Sequence, residues 1–167
     1  MNWRDDLTWA NQHLEAIRLV MKQVAQHVIE IVPATTAQDQ HEATDYVVKV
    51  TSGDVAVRIR RQRYADLFGD VTLRLWRSSG AKTEVEKLKA GFARWYLYAW
   101  SPNGVFTSWV FLDCDRMREF NVFQHGMPIN NTDGQSGFLA LSIPTLRDHG
   151  CIVEEWNIQK HEAHALQ

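Results

Sequence analysis

Hydrophobic and polar positions alternate most regularly between Asp45 and Arg61. Tyr46, Val48 and Val50 fall on one side of an extended segment and Asp45, Val47, Lys49 and Thr51 on the other, while Val55, Val57 and Ile59 alternate with Ala56, Arg58 and Arg60. Ser52-Gly53-Asp54 supplies turn chemistry between the two runs, so the pattern predicts a β-hairpin. Side chains two apart on a strand share a face, which brings Asp45, Arg58 and Arg60 together on the polar side of one sheet.

Before the hairpin, Leu14, Ile17, Met21, Val24 and Val28 recur at three- and four-residue intervals. That spacing predicts an amphipathic helix from about Asp6 to His27 with Glu15, Arg18 and Lys22 on its polar flank. Val28 to Val32 is a short strand or a last helical turn halted by Pro33, and Ala34 to Thr44, polar and aperiodic, is expected to be a mobile loop. After the hairpin, Gln62 to Gly69 reads as a connection whose aromatics, Tyr64 and Phe68, pack. Asp70 to Trp76 alternates as a strand, with Val71, Leu73 and Leu75 opposite Thr72, Arg74 and Trp76. Thr83 followed by Glu86 is a capping box. It predicts a long helix with Val85, Leu88, Phe92, Trp95, Tyr96 and Ala99 as its buried stripe, stopped by Pro102-Asn-Gly104.

Val105 to Leu112 is apolar enough for a sheet interior, and Asp113 or Asp115 caps a short helix reaching about Phe120. Gly126 to Gly137 reads as an exposed loop, Phe138 to Ser142 as a strand, and Pro144 as the first turn of a helix closed by Gly150. Cys151 to Ile158 returns as a strand, and the tail from His161 to Gln167 has little to hold it. The order predicts an α/β fold: a single domain over residues 1–167, with a mixed central β-sheet flanked by helices. The core covers about 6–112, and a C-terminal β-α-β appendage about 113–160.

Composition changes this picture in one respect. A chain of 167 residues that is 45% hydrophobic and 23% charged is ordinary for a globular domain. No apolar run approaches the roughly 20 residues that span a bilayer. Asp5 and Asp6 stand where a signal peptide is basic, so a cytoplasmic protein with no membrane partner is expected. Cys114 and Cys151 lack metal-site spacing and read as buried thiols. The net charge of -2, however, is unevenly placed: from Arg58 to Arg94 ten basic residues face four acids. A basic centre in an acidic chain suits a polyanion, and solvated strand and helix faces are the plainer alternative. The nucleic-acid-binding candidates are Arg61, Arg63, Arg74, Arg77 and Lys89, with Trp76 beside Arg74 as a base stacker. Lys82, Glu84 and Lys87 gather at the start of the capped helix, where a phosphate or a plain i,i+3 charge pair is favoured.

The residues from about Asp6 to Leu112 resemble the PD-(D/E)xK nuclease-like fold of restriction endonucleases and Holliday junction resolvases. An opening helix with a polar Glu, a strand beginning in Asp and a hairpin strand with alternate charged residues carry the likeness. The resemblance implies that Asp45 is the metal-binding Asp, that Arg58 and Arg60 stand at the E-x-K positions, and that Glu15 is the helix Glu of the resolvases. It implies a DNA substrate, duplex or branched, and Mg²⁺ or Mn²⁺ as cofactor. The Arg58 to Arg61 and Ser79 to Glu84 segments also resemble those of small phage and actinobacterial proteins.

The departures are informative. Arg58 in place of Glu cannot ligate a cation, and Arg60 in place of Lys stays protonated but can steady a phosphate. Either Glu84 or Glu86 has taken over as the second carboxylate, or the core has lost its metal and kept a basic groove. In the first case Asp45 holds metal with Glu84 or Glu15, Arg58 and Arg60 clamp the scissile phosphate, and Lys82 or Lys87 stabilises charge. In the second the protein is a degenerate DNA binder. The alternative from another class is a non-enzymatic interaction protein, phage encoded, whose protein partner is a host defence or replication complex.

Overall fold

The computed structural model describes residues 8–9, 11–24, 28–35, 46–50, 53–67 and 69–157. Asp45, most of the 34–44 loop and the 161–167 tail lie outside the described residues. The predicted hairpin forms: β2 (Tyr46–Val50) and β3 (Gly53–Arg61) pair antiparallel with Tyr46 opposite Val57 and Val48 opposite Val55. Gly53 sits at φ +127, and a Cβ there would come within 2.8 Å of Arg94 Cβ, so only glycine fits the turn.

β1 (Val28–Pro33) pairs with β2 on one side, and β3 runs parallel to β5 (Trp95–Ser101) on the other. β6 (Ser108–Asp113) and β9 (Ile152–Asn157) complete a mixed six-stranded sheet in the order β1-β2-β3-β5-β6-β9. A second, antiparallel sheet has the order β4-β8-β7, from β4 (Val71–Arg77), β7 (Met127–Asn130) and β8 (Ser136–Leu141). The fold is one α/β domain. The expected C-terminal β-α-β is present as β8, α5 (Ile143–Asp148) and β9, and its two strands are divided between the sheets.

Strand alternation assigns each face of the large sheet to a different core. On one face α1 (Leu14–Val24) lays Ile17, Val20 and Met21 over Val55, Val57 and Ile59. On the other, Tyr96, Tyr98 and Trp100 meet Val71, Leu73 and Leu139 of the second sheet. Three short helices close this side: α3 (Glu84–Lys89), α4 (Cys114–Glu119) and α5. Cys114 and Cys151 are both buried and free, as their spacing suggested. Among the described residues no helix is long and apolar enough to cross a membrane.

Three expectations need correction. The long helix predicted from Thr83 to Pro102 is the short α3 followed by β5, the central strand of the molecule. Gly91, at φ +82 just past the C-cap Ala90, ends the helix, and aromatic Trp95-Tyr-Leu-Tyr-Ala-Trp100 favours the extended state with both faces covered. Gln62–Leu67, expected as a connection, is a helical turn, α2. The supposed loop from Gly126 to Gly137 contains β7, which finds its partner in β8.

The start of α3 is as predicted. Thr83 N–H donates to Glu86 Oε2 (2.6 Å) and Glu86 N–H to Thr83 Oγ1 (3.3 Å), closing the capping box. Thr83→Ala should cost about 1 kcal/mol in a denaturant titration. The same bonds hold the Glu86 carboxyl below its ordinary value of 4.5, the Thr83 backbone bond being the larger cause. A depressed carboxyl stabilises the fold above its unfolded value, and that contribution is lost as pH falls through the lowered one. The Thr83→Ala difference should therefore shrink in acid.

Candidate anion-binding site between the two sheets

β3 points Arg58 and Arg60 to the same side as Ala56, and that side is roofed by the second sheet. β4 contributes Arg74 and Arg77. Arg58, Arg77 and Arg60 all lie close enough to Arg74 for their charges to act on it, so four guanidiniums share one half-buried space. Phe138 of β8, the register partner of Arg74, bridges them: its ring lies 4.8 Å from Arg74 Cζ and 5.4 Å from Arg60 Cζ. Tyr64 of α2 covers Arg60 from the other direction at 4.7 Å. Guanidinium faces against rings keep these cations in place while leaving their N–H edges to other acceptors.

Among the described residues, one carboxylate stands with them. Glu84, the first residue of α3, has a side chain only 2% exposed. Its Oε2 accepts the Arg74 backbone N–H at 2.6 Å, and its Oε1 lies 3.4 Å from Tyr96 Oη and 3.5 Å from Arg58 Nε. Burial, helped by the neighbouring Arg58, lowers the Arg74 pKa, and Glu84 acts in the opposite direction. Arg60, Arg74 and Arg77 make no ion pair among the described residues, and the Nε atoms of Arg60 and Arg77 are buried without a hydrogen-bond partner there. Arg60, Arg74 and Arg77 crowded into a half-buried space without an ion pair among the described residues are a costly arrangement, and a bound anion would relieve it.

The other expected site residues are placed elsewhere. Glu15 is 78% exposed on α1, paired with Arg18 at 2.6 Å, and α1 covers the opposite face of the sheet from Glu84. The two carboxylates cannot share an ion. Both oxygens of Glu84 are engaged, and among the described residues no three His, Cys, Asp or Glu side chains gather to hold a metal. Asp45, the first metal ligand that the nuclease resemblance implied, lies outside the described residues.

Lys87, expected at a phosphate, is 1% exposed within the core. Lys82 and Lys89 are exposed and rest near Phe92 (5.9 Å) and Phe123 (5.4 Å). Arg61 turns to the α1 side, its Cζ 5.2 Å from the Trp9 ring. Arg63 is exposed, 3.1 Å from Tyr64 Oη. Trp76 is fixed by an Nε1–H bond to Asn130 Oδ1 (3.1 Å), and its ring lies so close to Gly137 that a Cβ there would meet Nε1 at 2.2 Å. The sequence reading missed Phe138 and the role of Tyr64; three basic residues, Arg60, Arg61 and Arg63, next to a tyrosine were the available signal. Comparison of the chain with protein-family models, curated proteins and solved structures finds no match.

Proposed function

We propose that the protein binds DNA through its phosphates, using the cluster of Arg58, Arg60, Arg74 and Arg77 where a metal-dependent nuclease would place carboxylates. The observation that carries this reading is the group of half-buried guanidiniums, of which Arg60, Arg74 and Arg77 have no ion pair among the described residues. Guanidinium forks match phosphate oxygens in pairs, and their partial burial strengthens each bond. Phosphate contacts of this kind read charge and backbone geometry rather than sequence, which suits duplex or branched DNA.

Binding then depends steeply on salt, because every neutralised phosphate releases counterions. In an anisotropy titration of duplex and four-way-junction DNA between about 50 and 200 mM salt, Arg60→Gln combined with Arg77→Gln should flatten the log–log slope by about 2 for two lost duplex contacts. A slope equal to that of the unaltered protein removes the cluster from the interface. No binding by the unaltered protein at the lowest salt removes the function.

A further inference from the structure

Tyr64 stands where the arginine cluster meets solvent. It is half-buried on α2, its ring lies 4.7 Å from Arg60 Cζ and 5.0 Å from Arg63 Cζ, and its Oη accepts a hydrogen bond from Arg63 Nη2 at 3.1 Å. The other two phenols on this side of the sheet are buried and occupied: Tyr98 Oη is 2.8 Å from Thr72 Oγ1, and Tyr96 Oη faces Glu84. We propose that Tyr64 Oη is a nucleophile toward the phosphodiester held by the neighbouring arginines, forming a phosphotyrosyl bond to one DNA strand.

The chemistry needs no metal or cofactor. A phenol attacks phosphorus as its anion, and cations around the oxygen favour that anion. The Arg63 hydrogen bond, with the charges of Arg63, Arg60 and Arg61, draws the Tyr64 pKa below its ordinary 10.0 against the opposing effect of burial. In the step, the Tyr64 proton passes to solvent, the Oη–P bond forms and the bond from phosphorus to one deoxyribose oxygen breaks. The released sugar alkoxide takes a proton from solvent as a free hydroxyl end. Nothing is oxidised or reduced. The charge that develops on the non-bridging oxygens would be met by the Arg60 and Arg63 guanidiniums, whose Cζ atoms lie 4.7 and 5.0 Å from the Tyr64 ring. Because one phosphate ester replaces another, the same hydroxyl can return to phosphorus and reseal the strand.

This inference rests on the DNA-binding reading, and the test separates the two. The full chain is incubated in chelator with labelled duplex, junction and single-stranded oligonucleotides, each also made with a bridging phosphorothiolate that prevents resealing. Products are denatured in detergent and separated, and binding is followed in parallel by anisotropy. The expected result is a detergent-stable, protease-sensitive labelled band whose modified peptide contains Tyr64. Tyr64→Phe should give no band on DNA that it is shown, in the same anisotropy titration, to bind. Binding without a band on any substrate overturns the nucleophile and leaves the binding reading standing, whereas absence of binding overturns both. A band that persists in Tyr64→Phe, or that maps to another residue of the unaltered protein, overturns the assignment. The peptide assignment decides the matter even if the variant is poorly folded.

Discussion

Glu84→Ala should destabilise the protein by about 3–5 kcal/mol in urea or guanidinium titration, the cost of removing one partner from a buried charge network. The carboxylate is 2% exposed, and the Arg58 beside it is 18% exposed. Alanine would remove the carboxylate that faces Arg58 and offsets the charge on Arg74, orphan the Arg74 backbone N–H and open a cavity under Tyr96. Glu84→Gln preserves shape and one acceptor, so its loss should be smaller. A metal-ligand role predicts the reverse, since a carboxylate awaiting a cation is relieved by its removal. An unchanged midpoint for Glu84→Ala would show that the cluster does not depend on Glu84. The charge argument also gives a functional sign: Glu84→Gln, measured where it is folded, should bind DNA more tightly because the positive excess grows.

The second large effect is expected on the far face of the sheet. His13, 0% exposed ahead of α1, places Nε2 2.8 Å from Ser101 Oγ at the end of β5. Gly104 N–H lies 3.2 Å from the same Nε2 and donates to Ser101 Oγ (3.1 Å), so the three groups form one buried polar cluster. The ring lies between Trp9 at 4.5 Å and Phe106 at 6.0 Å. Through this residue α1 is fastened to the turn between β5 and β6. His13→Ala should cost about 2–4 kcal/mol from lost packing and unsatisfied buried polar groups. Because the arginine cluster lies on the opposite face, the salt dependence of DNA binding below the melting transition should not change. A variant that melts like the unaltered protein would mean that α1 is held by its apolar stripe alone.

Where pattern and packing agreed, the fold was legible from the residues. The alternation in β3 and the Thr83/Glu86 box formed as read, and Asp113 caps α4 by accepting from Asp115 N (2.9 Å) and Arg116 N (3.0 Å). The central strand was not legible, because Leu88, Phe92, Trp95 and Ala99 keep a helical spacing across a Gly91 that breaks the helix. A strand buried on both faces carries no alternation to correct the error.

The site was half legible for a related reason. Arg58 and Arg60 were placed on one face correctly, but nothing in the pattern said what covers that face. What covers it is β4 paired with β8, a contact between distant parts of the chain that local periodicity cannot reveal. The burial of Lys87 has the same origin: local periodicity at a helix start does not show the neighbouring sheet that covers it.

The central claim is that the half-buried guanidiniums between the sheets take the phosphates of DNA. It is tested most directly by nitrogen-15 NMR of the arginine side chains. The Nε atoms of Arg60 and Arg77 are buried and unpartnered among the described residues, which slows exchange of their protons and makes them observable. Adding a short duplex at low salt should shift both resonances along a common saturation curve, and raising the salt should return them. DNA binding that saturates while both resonances stay in place would contradict the account.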